Sequence, residues 1–490
     1  MLFLYAILSM KIPEYIIEIL NKLEKHKFEA YIVGGCLRDL LMERTPKDWD
    51  ITTNARPEEI LKIFPDGKYQ NIFGTVIVSV KENDEVLDLI EITTYRSEQG
   101  YSDRRHPDEI KFEDCLEKDL ERRDFTINAM ALRLCSGQAD EIVDLFGGRK
   151  DLEKKIVRAV GEPVERFKED ALRMMRAVRF ACELGFQIEP KTERAIVKLA
   201  GSIKFISQER IRDELIKILS SKLFYEGLMM LHNYKLLQYI IPELEMGVGV
   251  EQNRHHIYSV FNHSVLSLKF CPSSDWRVRL GALLHDIAKP QTKKFIGSDA
   301  TFYNHDIVGA KVVRKIMSRL KFSSADIDKT VNLVRHHMFY YNVGEVTESS
   351  VRRLIVKVGE ENLKDLIDIR IADRLGSGVP KAKPYKLRHL EYMFDKVRRD
   401  PISVKMLKLN GDDLMKLLNI EPGPKIGAIL DVLLSDVLDE VSLNNRPYLE
   451  KRSQELNELD LKELRQKAKE KIDDKKMEDD QELRAGHYVK

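Results

Sequence analysis

Two aspartates separated by one residue, Asp48 and Asp50, follow a glycine pair, Gly34 and Gly35, in the stretch Tyr31-Ile-Val-Gly-Gly-Cys-Leu-Arg-Asp-Leu-Leu-Met-Glu-Arg-Thr-Pro-Lys-Asp-Trp-Asp-Ile-Thr-Thr53. Glycines let backbone N–H groups approach a phosphate closely at the start of a helix. Ile51 and the threonines after it suit a strand, on which Asp48 and Asp50 project from one face while Trp49 points to the other. Two hard oxygen ligands on one face are what Mg²⁺ carrying a nucleoside triphosphate requires. An Asp-X-Asp by itself is more often a helix cap and a solvated turn; the glycine pair and the motifs downstream favour chemistry.

Three such motifs follow. Ile90-Glu-Ile-Thr-Thr-Tyr-Arg96 puts Glu91 on a strand able to pair with the aspartate strand. A third carboxylate there would complete a two-metal site or orient an attacking hydroxyl, although an edge-strand glutamate fits the same residues. Arg122-Arg-Asp-Phe-Thr-Ile-Asn-Ala-Met-Ala131 offers two arginines to clamp phosphates, and Asp124 or Asn128 to bind ribose hydroxyls. Alone, such a run is a surface salt-bridge cluster. Glu169-Asp-Ala-Leu-Arg-Met-Met-Arg-Ala-Val-Arg-Phe180 reads as a helix, with Leu172, Met175 and Val178 in the core and Arg173, Arg176 and Arg179 forming a positive ridge.

Asp170 and Arg173 are neighbours at i, i+3 on that reading, and an intrahelical ion pair between them is worth about 0.2–0.5 kcal/mol. Their chemistry permits more. Cytosine and adenine each present an amino donor beside a ring-nitrogen acceptor; guanine and uracil present the reverse. One accepting aspartate and one donating arginine match the first two bases, and polar sites reject such mismatches by roughly 10⁴ in favourable cases. Selection of C and A then needs no nucleic-acid template.

Histidines cluster further along, at His255, His256, His263, His285, His305, His336 and His337, with His285-Asp286 inside Leu280-Gly-Ala-Leu-Leu-His-Asp-Ile-Ala-Lys289. Imidazoles and carboxylates inside a helical bundle suit Mn²⁺, Fe²⁺, Ni²⁺ or Zn²⁺. A His-Asp dipeptide alone means little; the ordered set with apolar helical flanks carries the signal.

The elements that must position these groups divide by pattern. Residues 10–148 mix strand and helix signals: Tyr31-Ile-Val as a strand, Cys36–Met42 as a helix, and Val76–Val80 and Val86–Ile92 as strands paired through a turn at Asn83-Asp84. Ser97–Asp108 is polar and reads as a mobile loop. From 149 the pattern is helical: a neck over 149–250, a histidine-rich body over 251–380, and a tail over 381–490 whose charged stretch 448–482 suits a solvated helix or disorder. At 490 residues, about three domains are expected. Lys+Arg total 81 and Asp+Glu 80, which excludes a globally basic coat and leaves only local nucleic-acid patches. Residues 149–218 supply one, with 17 Lys/Arg against 12 Asp/Glu. The five cysteines form no Cys-X-X-Cys, so a reducing cytoplasm is expected rather than a disulfide scaffold or zinc knuckle. Met1–Leu8 is too short for a membrane span and lacks a basic flank, and Met10 is an alternative start.

Taken in order, these blocks resemble the class II tRNA nucleotidyltransferase and bacterial poly(A) polymerase family. The resemblance covers roughly residues 28–245 and includes Asp144-Leu-Phe-Gly-Gly-Arg-Lys-Asp-Leu152. It implies an α+β fold: a small mixed α/β, polymerase-beta-like nucleotidyltransferase head, then a mainly helical neck, body and tail. It implies that Asp48 and Asp50 hold the catalytic Mg²⁺. Gly34 and Gly35 then face the triphosphate, supported by Arg38 and Asp39. Arg123, Asp124 and Asn128 lie at ribose and phosphates, and Asp170 and Arg173 read the base. Arg176 and Arg179 extend the nucleotide-binding ridge, and Glu209–Leu215 acts as a structural neck brace. The implied reaction adds CMP and AMP from CTP and ATP to the acceptor arm of tRNA in the cytoplasm, with no membrane involved. Tyr95–Lys111, with Arg96, Tyr101 and Asp103, keeps a loop that CC-only enzymes lack. This leaves CCA addition, A addition and, less favoured by the absence of a basic C-terminal extension, poly(A) synthesis. Met42-Glu43 departs from the family's more usual Leu-Gly, a change confined to a helix end. Residues 255–376 resemble the HD phosphohydrolase superfamily, which implies His263, His285, Asp286 and Asp373 as metal ligands. His305 with His336 or His337 would serve a second metal, and Lys289 would lie near a phosphate. A rival reading makes that phosphohydrolase the main enzyme and the head regulatory; another makes the chain an RNA-binding scaffold.

Overall fold

The computed structural model describes residues 12–71, 74–82, 85–99, 109–135, 138–252, 257–296, 299–378, 381–399, 407–466, 484 and 486–489. The chain packs as two compact units, Met1–Val334 and Arg335–Lys490.

The first unit is built on a seven-stranded mixed sheet. Its strands are β1 (Ala30–Val33), β2 (Asp50–Thr53), β3 (Lys68–Asn71), β4 (Thr75–Glu82), β5 (Glu85–Thr94), β8 (Ala131–Cys135) and β9 (Gln138–Val143), in the order β3-β4-β5-β2-β1-β8-β9. β2 runs parallel to β5 with Asp50 opposite Glu91, so the two expected carboxylate strands are direct neighbours. The hairpin expected from Val76 to Ile92 is present, with Val78 opposite Ile90, and its turn lies outside the described residues. The stretch expected as a loop from Ser97 begins instead as strand β6 (Arg96–Gln99), paired with β7 (Glu109–Phe112). Polar side chains satisfy a two-stranded ribbon as well as a loop, because what stabilises it is the backbone ladder. Tyr101 and Asp103 lie outside the described residues.

Helices cover the sheet and continue from it. Helix α1 (Glu14–Lys25) buries Ile16, Ile19, Leu20 and Leu23, the i, i+3, i+4, i+7 stripe of an amphipathic helix. Helix α2 (Gly35–Leu41) follows β1 at once. Its end is capped by Glu43 at φ 56°, the left-handed position where glycine is usual. The neck comprises α3 (Pro163–Glu169), α4 (Leu172–Leu184), α5 (Pro190–Leu199), α6 (Gln208–Ser220) and α7 (Phe224–Asn233). Leu172, Met175 and Val178 are buried as expected. One continuous apolar cluster runs from Ile16 through the sheet and neck to Val334, beside a smaller one around Tyr95 and Leu120. Head and neck therefore share an interior, and the chain divides after Val334, inside the stretch 251–380 expected as one body.

The second unit is helical. It includes α11 (Leu363–Gly376) and α12 (Tyr385–Arg399), after α8 (Val260–Lys269), α9 (Trp276–Leu284) and α10 (His305–Arg319) of the first unit. Its last three long helices, Gly411–Leu418, Pro424–Asp439 and Arg446–Asn457, surround their own core of Leu414, Ile429, Leu433 and Leu449. No helix among the described residues is long and apolar enough to cross a membrane.

Candidate nucleotidyl-transfer site

Gly34, the residue before α2, adopts φ 77°. A Cβ there would lie 3.0 Å from Asp50 Oδ2 and 3.1 Å from Arg123 Nη1. Glycine thus serves twice, by accepting the left-handed backbone and by leaving the space between a carboxylate and a guanidinium. Gly34→Ala is expected to destabilise the fold by about 1–3 kcal/mol, read as a lowered melting temperature, and to displace Asp50 or Arg123. An unchanged melting temperature would contradict this account.

Asp50 opens β2, while Asp48 lies in the bend just before it and is exposed. The ladder nevertheless reaches that far, since Glu91 N donates to Trp49 O at 3.3 Å. Trp49 is buried on the opposite side, as alternation requires. Burial raises the Asp50 carboxyl above its ordinary range; Arg123 opposes the rise and Asp48 adds to it. Burial also raises Glu91, with Asp50 and then Asp48 contributing. Two of these three carboxylates, Asp50 and Glu91, disfavour charge in the absence of a cation, and the set fits a divalent ion. They are looser than a finished cage, since Asp48, Asp50 and Glu91 are not among the groups whose ligand atoms all lie within 4.8 Å of one another.

A frame of ion pairs holds the phosphate-side residues. Asp119 is wholly buried and accepts from Arg122 (2.6 Å) and from Arg123 Nη2 (3.0 Å). Burial alone would raise its carboxyl, but the two arginines outweigh that and hold it below the ordinary value. Arg38 Nε and Nη2 donate to Asp39, and Arg38 Nη1 donates to Asn128 Oδ1 at 2.9 Å, which ties α2 to the Arg-Arg-Asp block. Asp124 Oδ1 accepts from Phe125 N and Asn128, and its Oδ2 accepts from Arg176 Nε at 2.7 Å. Asp144 caps the next helix by accepting from Gly148 N and Arg149 N. A Cβ on Gly148 would meet Thr126 O at 2.3 Å, so that glycine block is a close-packing device that seats the turn carrying Asn128.

The base-reading pair is arranged differently from the expectation. The expected single helix Glu169–Phe180 breaks at Asp170, whose backbone is extended (φ −140°, ψ 103°), and α4 begins at Leu172. Asp170 bonds to Leu172 N instead, at 3.0 Å, as aspartates do just before a helix. No Asp170–Arg173 side-chain pair forms. Arg173 Nη1 donates to Glu169 (2.6 Å) and Arg166 O (3.2 Å), and its Nη2 donates to Arg122 O (3.0 Å). Asp170 is held by Arg210 of α6, through Nη2–Oδ2 at 2.7 Å and Nη1–Oδ1 at 3.3 Å. Arg176 and Arg179 are also neutralised, by Asp124 at 2.6 Å and by buried Glu214 at 3.2 Å. The expected positive ridge is present as an inward, paired row. Phe180 lies beneath it, its ring centroid 4.3 Å from the Arg179 guanidinium carbon. Gly34, Asp48, Asp50, Arg123, Asp170 and Arg173 line one cleft of about 1340 Å³ together with Arg176, Arg179, Phe180 and Arg210; Glu91, Glu169 and Glu214 are not part of its lining. Sequence reasoning missed Asp119, Glu169 and Arg210 as partners. Arg210 sat within the neck-brace motif, where its type and place carried the available signal.

A second cluster lies apart from this cleft in sequence. His263 Nε2 is 3.0 Å from His285 Nε2 and 3.1 Å from Asp286 Oδ2, and all three residues are buried. His305 Nε2 is 3.2 Å from Asp286 Oδ1. Carbonyls only accept, so His285 Nδ1 donates to Ala282 O and His305 Nδ1 to Phe302 O, which turns each Nε2 toward Asp286. Burial would raise the Asp286 carboxyl; His285 and Lys289 hold it well below its ordinary value. Lys289 Nζ sits 2.6 Å from Asp286 and donates to Gln252. The ligand atoms of His263, His285 and Asp286 all lie within 4.8 Å of one another, a set that fits a transition metal. Asp373 belongs to the second unit, on α11, where Arg370 pairs with it at 2.7 Å. His255 and His256 lie outside the described residues.

A nucleotidyltransferase head joined to a helical body is the class that this fold defines. Family models match as the poly A polymerase head domain over residues 30–158, the probable RNA and SrmB-binding site of polymerase A over 185–247, and the HD domain over 260–377. A CCA-adding enzyme from Leuconostoc mesenteroides is 31% identical over 89% of this chain and 95% of its own length. An A-adding tRNA nucleotidyltransferase from Deinococcus radiodurans is 36% identical over 65% of this chain and 74% of its own. The crystal structure of the Bacillus stearothermophilus CCA-adding enzyme in complex with CTP superposes with a TM-score of 0.58 at 26% identity, covering 91% of this chain and 97% of that one. The chain spans about half the length of other curated relatives that it matches at 48–50% identity. The chain belongs to the family of CCA-adding enzymes and A-adding tRNA nucleotidyltransferases.

Proposed function

We propose that the chain adds CMP and AMP from CTP and ATP to the 3′ end of tRNA without a template, in the cytoplasm. One observation carries the reading: the carboxylates beside the Gly34 turn and the Asp170/Arg173 pair open into the same cleft, so one nucleotide can span both. Asp48, Asp50 and Glu91 would hold Mg²⁺, which when bound offsets triphosphate charge and makes a 3′-hydroxyl a better nucleophile. Gly34 and Gly35 leave room for phosphate oxygens against the backbone. Arg122 and Arg123, held by Asp119, keep their guanidinium groups fixed beside that space. Asp170 accepts an amino hydrogen of cytosine or adenine while Arg173 donates to the neighbouring ring nitrogen. The tRNA acceptor arm is recognised by shape and phosphate contacts. The arginines for that role are exposed ones elsewhere in the neck, because Arg173, Arg176 and Arg179 are committed to the cleft. On this reading 10–148 is the transfer head, 149–250 the base-reading neck, 251–380 the HD body and 381–490 the tail, a functional division that crosses the packing boundary after Val334.

The test offers labelled CTP and ATP separately to tRNAs ending at the discriminator base, at C and at CC. Addition of C to the first two substrates and of A to the third supports CCA addition. Incorporation of A alone selects the A-adding reading, with which the 36% identical relative is consistent. No incorporation on any tRNA ends the proposal.

The buried His263–His285–Asp286 cluster supports a second activity, metal-dependent hydrolysis of 2′,3′-cyclic phosphates or 2′-phosphates. His285→Ala is expected to lower bound transition metal by about one equivalent, measured by elemental analysis, and to abolish that hydrolysis while nucleotide addition persists. Metal content unchanged in the variant would refute the assignment.

A further inference from the structure

We infer that Arg210 is a specificity-determining residue that excludes guanine by occupying part of the Asp170 carboxylate; this rests on the nucleotide-adding function proposed above. A carboxylate offers about four acceptor directions, two on each oxygen. In this structure Oδ1 takes two donors, Leu172 N at 3.0 Å and Arg210 Nη1 at 3.3 Å, while Oδ2 takes Arg210 Nη2 at 2.7 Å. One acceptor direction remains, on Oδ2.

That arithmetic separates the bases. Cytosine and adenine bring one amino donor to the aspartate and need one acceptor direction. Guanine brings two parallel donors, its ring N1–H and its exocyclic amino group, which suit the two oxygens of an unshared carboxylate. A bare aspartate is therefore a good guanine receptor, and Asp170 alone would select for the wrong purine. With Oδ1 filled, one guanine donor has nowhere to go and is left unpaired in the cleft, which is expensive. Discrimination here works by obstruction of the competitor as well as by attraction of the right base.

The geometry keeps the obstruction in place. Arg210 sits on α6, whose Ile211, Leu215 and Ile218 are buried in the core, so the guanidinium approaches Asp170 from a fixed direction. Arg173 cannot substitute for it, since three of its five N–H groups are taken by Glu169, Arg166 O and Arg122 O.

The experiment measures kcat/KM for CTP, ATP and GTP on tRNA ending at C and at CC, using the full chain and its Arg210→Ala and Arg210→Lys variants. In Arg210→Ala the ratio of kcat/KM for CTP to that for GTP is expected to fall by about 10- to 100-fold. Arg210→Lys, with one ammonium unable to cover both oxygens, should fall between the two and is decisive if the alanine variant does not fold. A uniform loss across all three nucleotides, with the ratio unchanged in the folded variants, would show Arg210 to be a brace alone and overturn the inference. A wild-type chain that adds no nucleotide would instead defeat the function on which it rests.

Discussion

Asp50→Asn is expected to lower CMP and AMP incorporation together by about 10³-fold or more, because the lost charge stabilisation is worth several kcal/mol. Both nucleotides should suffer equally, since on the proposed reading Asp50 serves the triphosphate and not the base. Stability should move the other way. The Asp50 carboxyl is raised by burial and by Asp48, so its folded value exceeds the unfolded one. A group of that kind favours folding most at low pH, below about 3.9, and that contribution is lost as pH rises through the raised folded value. At neutral pH without divalent ions the charged Asp50 thus opposes folding, and Asn should melt higher than wild type. Adding Mg²⁺ should raise the wild-type melting temperature at pH 7 and leave that of the variant unmoved. Asp48→Ala should share the loss of incorporation while leaving hydrolysis in the histidine cluster intact. Full incorporation by either variant would remove the metal assignment.

Arg173→Ala is expected to produce the second large effect, on choice rather than on chemistry. The fold should tolerate it: Glu169 keeps Arg166 as a partner at 2.6 Å, and Leu172 and Met175 still anchor α4. What disappears is the donor to the ring nitrogen of C and A, while UTP and GTP lose nothing that they used. Preference for CTP and ATP over UTP and GTP should therefore contract by about 10²- to 10⁴-fold, as in sites that read hydrogen-bonding groups. Asp170→Asn should also weaken selection, and it removes the partner of Arg210 besides. Competition assays with all four nucleotides decide the matter, and unchanged selectivity in Arg173→Ala would locate base reading elsewhere.

Much of this site was legible in the chain. Gly34 ahead of α2 and Glu91 on a strand beside that of Asp50 were legible, because strand patterning and the backbone freedom of glycine are local properties; Asp48, expected on the strand with Asp50, stands in the bend before it. The error at Asp170 has an equally local cause. A helical period ran through Glu169–Phe180 in residue type, but aspartate competes for the backbone by bonding Leu172 N, and the helix restarts after it. The i, i+3 neighbour rule then had no helix to act on.

By itself, the order of residues determined which groups exist for chemistry: hard carboxylates for a cation, glycines beside phosphates, an acceptor and a donor for a base, and imidazoles with a carboxylate for a transition metal. Tertiary packing alone decided who faces whom. It turned Arg176 and Arg179 inward onto Asp124 and Glu214, and it brought Arg210 across 40 residues to Asp170. The physical reason is burial: inside a cleft every charge must find an opposite partner, and which partners meet depends on how helices stack over one shared core, information no short window of sequence contains.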